Sequence, residues 1–164
     1  MILVTLGTQD KPFARLLEAV EKQIENGTIQ EEVIAQVGST TYDSYRMKII
    51  PYIPVENFSN MMEKANFIIT HAGVGSIIEG LKKKKKMIVA ARKKEYGEHV
   101  NNHQEQILEN FSQSGYIIPL TNFDKLGEAI RQLKDFTPRE FHSNQNKFIQ
   151  GLEVEIEKLI NKGI

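Results

Sequence analysis

Short apolar runs alternate with longer amphipathic stretches along the chain, and this alternation constrains the fold more than any other feature of the sequence. Residues 2–6, 32–37, 67–70 and 87–90 have the length and composition of buried strands. Residues 13–24 carry apolar side chains at positions 13, 16, 17, 20 and 24, the spacing of a helix with one buried face. The alternation of strands and helices predicts an α/β domain, a Rossmann-like parallel sheet flanked by helices.

The remaining pattern extends this architecture along the rest of the chain. We predict strands over residues 47–53, where Pro51 interrupts, and 116–118. We predict helices over residues 57–65, 76–81, 98–111, 124–133 and 138–160. The last helix would carry an apolar stripe formed by Phe148, Ile149, Leu152, Ile156, Leu159 and Ile160. We expect one domain over residues 1–164, with 138–164 forming a C-terminal helix whose stripe docks on a partner or on the domain itself.

The composition excludes several classes of function. With 21 Lys+Arg and 21 Asp+Glu, no net charge draws the chain to nucleic acid, and we expect no nucleic-acid partner. The absence of cysteine excludes disulfides, thiolate metal sites and a cysteine nucleophile. The four histidines lack the spacing of a metal site, so we expect neither metal nor cofactor. The apolar run at the N-terminus is too short for a signal peptide or a membrane span, which leads us to expect a cytoplasmic protein.

A first candidate site is the turn Gly7-Thr8-Gln9, which directly follows the first predicted strand. Ligands of open parallel sheets bind beyond the carboxyl ends of the strands, where this turn would lie. Glycine permits close approach of the backbone, and the two polar side chains offer hydrogen bonds. A glycine-containing turn is also common for purely structural reasons.

A second candidate site is the segment THAGVGSIIE over residues 70–79, in which a strand leads through two glycines into a helix. Free amide groups and the positive end of the helix dipole can bind a diphosphate there. The spacing matches neither the dinucleotide fingerprint nor the P-loop. A structural alternative is a capping box, in which Ser76 caps the helix start and Glu79 binds back to it.

A third candidate site is the segment GEHVNNHQE over residues 97–105. The predicted helix has apolar residues at 100, 107, 108 and 111, and the polar pair His103 and Gln104 interrupts that face. Amides and carboxylates at a helix start suit the hydroxyls of a sugar, although a solvated first turn explains the same residues. The basic run 82–86, followed by Arg92, Lys93 and Lys94, is interpreted as a solvated helix end, with a membrane-facing surface as the alternative.

These segments occur in a familiar order: VTLGTQ at 4–9, QVG at 36–38, THAGVGSIIE at 70–79 and GEHVNNHQ at 97–104. In this order and spacing the chain resembles the C-terminal, donor-binding domain of glycosyltransferase family 28, one half of a GT-B enzyme. It is especially similar to the stand-alone catalytic subunits of split enzymes. These are the bacterial PssE-like exopolysaccharide and capsule transferases and the eukaryotic dolichol-linked UDP-GlcNAc transferases. The stretch 96–104 looks closer to the bacterial group.

The resemblance implies a role for each matching residue. The 73–76 segment would contact the diphosphate of a UDP-sugar, Glu79 the ribose hydroxyls, and the 102–105 segment the donor sugar. The Gly7 turn would face the phosphates and the acceptor, and residues near 36–38 and 52–53 would surround uracil. The implied substrate-binding residues are Gly7, Thr8, Gln9, Gln36, Gly38, Ile53, His71, Gly73, Val74, Gly75, Ser76, Glu79, Asn102, His103, Gln104 and Glu105.

The implied activity is inverting transfer of a hexose from UDP to a lipid-diphosphate-linked sugar in exopolysaccharide or capsule synthesis, without a tightly bound metal. His103 is the local candidate for the general base, since its pKa range suits the task; the base could also come from the partner. That partner would be a membrane-anchored subunit carrying the acceptor-binding half, which recruits the chain to the inner face of the membrane. The alternatives are a UDP-GlcNAc transferase of lipid-linked oligosaccharide synthesis and a non-catalytic nucleotide-sugar-binding regulatory subunit.

Overall fold

The computed structural model describes residues 1–142, which form a six-stranded sheet flanked by helices. In chain order the elements are β1 (Ile2–Thr5), α1 (Ala14–Glu25), β2 (Val33–Gln36), β3 (Lys48–Ile50), α2 (Val55–Lys64), β4 (Ile68–His71), α3 (Val74–Lys82), β5 (Met87–Ala90), α4 (His103–Gln113), β6 (Ile118–Leu120) and α5 (Leu126–Gln132). Short 3₁₀ turns at Lys94–Tyr96 and Phe123–Lys125 precede α4 and α5. None of the helices within residues 1–142 is both long and apolar enough to cross a membrane.

All adjacent strands pair in parallel, in the order β3-β2-β1-β4-β5-β6. The chain moves outward from β1 to β3, returns to pair β4 with the other side of β1, and then moves outward again. Such a reversal creates a crevice between the loops that follow the two central strands. The predicted Rossmann-like α/β fold is confirmed.

Each face of the sheet carries its own hydrophobic core, because successive strand residues point to opposite sides. Val4 and Ile69 pack with α1 and α5, whereas Leu3 and Ile68 pack with α2, α3 and α4. The central strands β1, β4 and β5 are buried on both faces, which explains why they read as continuous apolar runs.

Several predicted boundaries were wrong, each for a local reason. The 47–53 strand is only Lys48–Ile50, because Pro51 has no N–H to continue the ladder. The strand predicted at 116–118 begins at Ile118, and its Pro119 is tolerated because β6 is an edge strand. The 98–111 helix begins only at His103, after Gly97 has turned the chain with a left-handed φ of 68°.

The helix predicted over 138–160 does not begin at Pro138, since residues 138–142 are not helical. Phe141 instead packs edge-on against Tyr116, with ring centroids 5.7 Å apart. The rest of the predicted helix, with the apolar stripe from Phe148 to Ile160, lies outside the described residues.

Two lysines of the 82–86 run are half-buried and bind the ends of other helices, which differs from the solvated helix end that the sequence predicted. Lys85 Nζ donates to the carbonyls of Glu63 and Ala65 at the end of α2, at 2.5 and 2.8 Å. Lys86 Nζ donates to Leu133 O, past the end of α5, at 2.6 Å. Both ammonium groups therefore satisfy carbonyls at helix C-termini, where cations are favourable.

Candidate functional site

The loops after β1 and β4 meet at the crevice, and the ring of His71 lies between them. A Cβ built on Gly7 would come within 2.6 Å of this ring, and one built on Gly73 within 2.2 Å of its Nε2 atom. Only glycine therefore fits at these two positions with His71 in place, and both loops can lie directly against the imidazole.

A cleft runs along this edge of the sheet and consists of two cavities that share Thr8, His71 and Gly73. The first cavity has a volume of about 340 Å³ and lies towards the start of α2. Its other lining residues are Thr5, Gly7, Gln36, Tyr52, Ile53, Val55, Phe58, Gly75 and Ser76. The second cavity, about 490 Å³, lies towards the start of α4. Its other lining residues are Gln9, Ala72, Val74, His99, Val100, Asn101, His103, Gln104 and Ile107.

The buried side-chain amide of Gln36 hydrogen-bonds to the backbone of the Gly7 turn. Gln36 Oε1 accepts from Thr5 Oγ1 at 2.6 Å and from the N–H of Gly7 at 3.2 Å. Its Nε2 group donates to Gly7 O at 2.9 Å and to Pro51 O at 3.1 Å. The amide thus makes four hydrogen bonds within the protein, which identifies Gln36 as a support for the loop rather than a free ligand group.

The start of α3 presents bare backbone nitrogens to the cleft. Gly73 is the N-cap, and the N–H of Ile77 is the first to donate within the helix, to Gly73 O at 3.1 Å. The N–H groups of Val74, Gly75 and Ser76 therefore have no intrahelical acceptor. A Cβ at Gly75 would meet no heavy atom within 4 Å, so open space lies in front of this turn. The arrangement suits an anion.

The capping-box interpretation of Ser76 and Glu79 was wrong, because α3 begins two residues earlier than predicted. Ser76 is the third helical residue, where its side chain cannot cap, and it lines the first cavity. Glu79 lies one turn further along the helix. Its Oε1 accepts from Ser59 Oγ at 3.0 Å and lies 3.8 Å from Lys83 Nζ.

His71 is buried and neutral. Burial and the charge of Arg92 lower its pKa to about 4. Its Nδ1 lies 3.4 Å from Thr5 O, an acceptor only, which assigns the proton to Nδ1 and leaves a lone pair on Nε2. The edge of this ring that lies against Gly73 can therefore accept a hydrogen bond.

Two further histidines line the second cavity and contact each other edge to face, with ring centroids 4.4 Å apart. Burial, followed by the charges of His103 and Arg92, lowers the pKa of His99 to about 4, and Gln9 Nε2 lies 3.1 Å from its Nε2. Burial also lowers the pKa of His103. His103 Nδ1 is hydrogen-bonded to Asn101 Oδ1, which leaves its Nε2 as an unprotonated acceptor.

The structure brings most of the predicted binding residues to the cleft but leaves four outside its lining. Gly38 packs under the Gly7 turn, where a Cβ would lie 2.6 Å from Gly7 O. Asn102 Oδ1 accepts from the N–H of Lys94, and Glu105 pairs with Lys93 at 3.2 Å. Glu79, the fourth, contacts Ser59 as described. Asn102 and Glu105 lie outside because α4 begins at His103, which directs a different side of its first turn to the cleft.

Sequence reasoning did not select several residues that line the cleft. Val55 and Phe58, on the first turns of α2, have no motif that marks them. His99 and Asn101 belong to the third candidate segment, but their position next to His103 depends on the left-handed turn at Gly97. The one sequence feature that could have selected His99 and Asn101 is the presence of histidine and asparagine just before a predicted helix start.

Comparison with known proteins places these features in context. The sequence model of the glycosyltransferase family 28 C-terminal domain matches residues 1–159. The UDP-N-acetylglucosamine transferase subunit ALG13 of Debaryomyces hansenii is 25% identical over 120 residues, 73% of this chain and 52% of that protein. The chain thus spans about half the length of this relative.

Two solved structures share the fold. The NMR solution structure of ALG13 superposes with a TM-score of 0.58 at 20% identity, over 92% of this chain and 94% of that one. The glycotransferase of kitacinnamycin superposes with a TM-score of 0.60 at 19% identity, over 99% of this chain but 43% of that enzyme. The described fold therefore corresponds to one part of the larger enzyme.

Proposed function

Because the chain belongs to the glycosyltransferase family 28 C-terminal domain family, we propose that it is the UDP-sugar-binding, catalytic subunit of a two-component inverting glycosyltransferase. The observation that carries this proposal is the start of α3. Its bare N–H groups at Val74, Gly75 and Ser76 face the cleft at the crossover point of the sheet.

In this proposal the two cavities bind the two ends of a nucleotide sugar, the base and the sugar. With the diphosphate at the start of α3, the first cavity offers the apolar surfaces of Tyr52, Ile53 and Phe58 to a base. The second cavity offers His103 and Gln104 to a sugar, whose hydroxyls need donors and acceptors. Glu79 lies one turn beyond Ser76 on the same helix but outside the lining, so the proposed contact with the ribose requires its carboxylate to turn from Ser59 towards the first cavity.

The proposed reaction follows from this placement. An acceptor hydroxyl attacks the anomeric carbon from the face opposite the diphosphate. The bond between this carbon and the phosphate oxygen breaks, UDP leaves, and the configuration at the anomeric carbon is inverted. The backbone N–H groups and the helix dipole stabilise the negative charge that develops on the diphosphate. His103 can take the proton of the attacking hydroxyl, because Asn101 orients its ring and leaves Nε2 unprotonated.

The donor that we propose is UDP-N-acetylglucosamine. This choice is supported by the relatives, which carry the name UDP-N-acetylglucosamine transferase subunit. A hexose donor used in exopolysaccharide or capsule synthesis is the second candidate, and the segment 96–104 favours it.

We further propose that a partner completes the enzyme. The relatives support this proposal, because they carry the name transferase subunit. The side chains of Val55 and Val100 are 87% and 64% exposed at opposite ends of the cleft, where such a partner would contact them. The partner would be membrane-anchored, bind the lipid-linked acceptor and hold this chain at the cytoplasmic face of the membrane.

Calorimetric titration of the purified chain tests the proposal. We expect binding of UDP and UDP-N-acetylglucosamine, and weaker binding of ADP. A preference for ADP would overturn the nucleotide assignment. Tighter binding of UDP-glucose, UDP-galactose or UDP-glucuronic acid would favour the exopolysaccharide alternative. UDP binding without transfer, even with a co-expressed partner subunit, would favour a regulatory nucleotide-sugar-binding protein.

A further inference from the structure

Arg92 is a buried cation directly behind the cleft. The sequence suggested a basic surface at 92–94, but the side chain of Arg92 is only 1% exposed. Its Nη2 donates to Leu6 O at 2.6 Å, and its Nη1 donates to Lys11 O at 2.8 Å and to Glu98 O at 3.2 Å. One guanidinium therefore binds three backbone carbonyls.

These carbonyls belong to the loops after β1 and β5, both of which contribute residues to the lining of the cleft. Leu6 and Lys11 flank the 7–9 turn, and Glu98 directly precedes His99. The backbone N–H of Arg92 also donates to Gln104 Oε1 at 3.0 Å, and Gln104 lines the second cavity. Arg92 thus ties the loop after β1 to both the loop and the helix after β5.

The charge of Arg92 is not consumed by a carboxylate. The side chain of Glu98 is bound by Arg15, at 2.6 and 2.9 Å, and by the N–H of Lys93 at 2.9 Å. Arg15 is in turn held between the rings of Tyr96 and Phe123, each with its centroid 4.1 Å from the guanidinium carbon. The hydrogen bonds of the Arg92 guanidinium therefore go to backbone carbonyls, while the carboxylates of Glu98 and Asp10 act on its charge only through space.

A buried cation of this kind costs stability, since an apolar side chain could fill the same space without losing hydration. Within residues 1–142, Arg92 Nε is the buried side-chain nitrogen that has no hydrogen-bond partner. Burial lowers the pKa of Arg92 to about 10, which still leaves it charged at neutral pH. A costly charge in a fixed position points to a role in the cleft.

We propose that Arg92 is a positioning residue for the nucleotide diphosphate: it fixes the two cleft loops relative to each other and holds a permanent positive charge behind them. This inference rests on the proposed function, because the diphosphate is the group on which the charge acts. Arg92 does not touch the ligand; it acts through the Gly7 turn and through the loop that carries His99.

The charge of Arg92 also contributes to the low pKa values of the neighbouring histidines His71 and His99. After burial, Arg92 is the largest cause of the lowered pKa of His71. Other charged groups act on the same region: Asp10 and Glu98 favour the charged form of Arg92, and Lys11 and His103 lower the pKa of His99. Removal of the Arg92 charge should therefore make His71 easier to protonate.

The variants Arg92→Gln and Arg92→Lys test the proposal, with Arg46→Gln as the control. Arg46 is an exposed arginine that pairs with Glu21 and Glu25 on α1. We expect Arg92→Gln to weaken UDP binding by roughly tenfold, the order of magnitude of one charge that acts through the protein rather than through water. Arg92→Lys keeps the charge but cannot bind three carbonyls, so we expect a smaller loss of affinity and faster amide exchange at residues 7–9 and 99–104.

Histidine titrations by NMR separate this role from a merely structural one. In Arg92→Gln the pKa of His71 should rise by about half a pH unit, whereas it should stay low in Arg92→Lys. Unchanged UDP affinity, loop exchange and His71 titration in a folded Arg92→Gln would overturn the proposal.

The native protein supplies a measurement that does not depend on the folding of a variant. The buried Nε–H of Arg92 should give a slowly exchanging ¹⁵N resonance that shifts when UDP is added, while the resonance of Arg46 does not move. An unmoved Arg92 signal in UDP-saturated protein would sink the inference and leave the proposed function intact. If the native chain binds no UDP at all, the proposed function fails. The role of Arg92 in joining the two loops is then judged by the loop exchange and the His71 titration alone.

Discussion

Gly75 provides the sharpest test of the anion site, because its replacement should move stability and binding in opposite directions. The residue lies in the first turn of α3, and a Cβ built on it meets no heavy atom within 4 Å. The first atom of the side chain added in Gly75→Leu therefore meets no clash. Removal of a helical glycine should stabilise the folded chain by about 0.5–1 kcal/mol.

The leucine side chain would instead occupy the space in front of the bare N–H groups. An anion at a helix N-terminus gains up to about 2 kcal/mol in partly buried geometry. Its loss corresponds to roughly 30-fold weaker binding of UDP. Gly75→Ala should show an intermediate loss of affinity, because its methyl group fills less of the same space.

Calorimetric titration with UDP gives the affinity, and thermal unfolding of the same sample gives the stability. Gly73→Ala is the contrasting variant: its Cβ would lie 2.2 Å from His71 Nε2, so it should lower the melting temperature. If Gly75→Leu is folded, has a melting temperature no lower than the native protein and binds UDP with native affinity, then the diphosphate does not lie at α3.

Three further predictions follow from the hydrogen-bond pattern and the histidines. Gln36→Leu should destabilise the chain by about 2–4 kcal/mol in urea unfolding, because it removes the acceptor of the Thr5 hydroxyl, the closer acceptor of Gly7 N–H and the donor to Gly7 O; a loss below about 1 kcal/mol would contradict the support role. His103→Ala, assayed with the partner, should reduce kcat by about 10²–10³-fold with UDP affinity nearly unchanged, whereas an unaltered kcat would assign the base elsewhere. The pKa of His71 is about 4 in the folded chain, below its ordinary value of 6.5. As the pH falls from 6.5 towards 4, His71 is therefore protonated in the unfolded chain but not in the folded chain, and the free energy of unfolding decreases. Between pH 7 and pH 5 the loss from His71 should be about 2 kcal/mol, and a His71→Gln variant that keeps the same pH slope would refute this assignment.

The sequence by itself determined the layers of the fold and the edge of the sheet at which the candidate site lies. Apolar runs and helical periodicity are local properties, and they located every strand and helix of residues 1–142 to within a few residues. The glycines after β1 and β4 marked the crevice because a strand that ends in glycine and polar residues indicates a turn wherever it lies. Even so, the start of α4 was misplaced, because the turn at Gly97 depends on contacts that the local pattern does not contain.

Only the tertiary structure decided which polar groups are free to bind a ligand. Gln36 was predicted beside uracil, but its amide is saturated by Thr5, Gly7 and Pro51, which come together only when β1 and β2 pair. Arg92 belongs to a basic run, yet it is buried because carbonyls from distant loops converge on it. Hydrogen-bond satisfaction and the burial of charge are set by residues far apart in the chain, so no local pattern can reveal them.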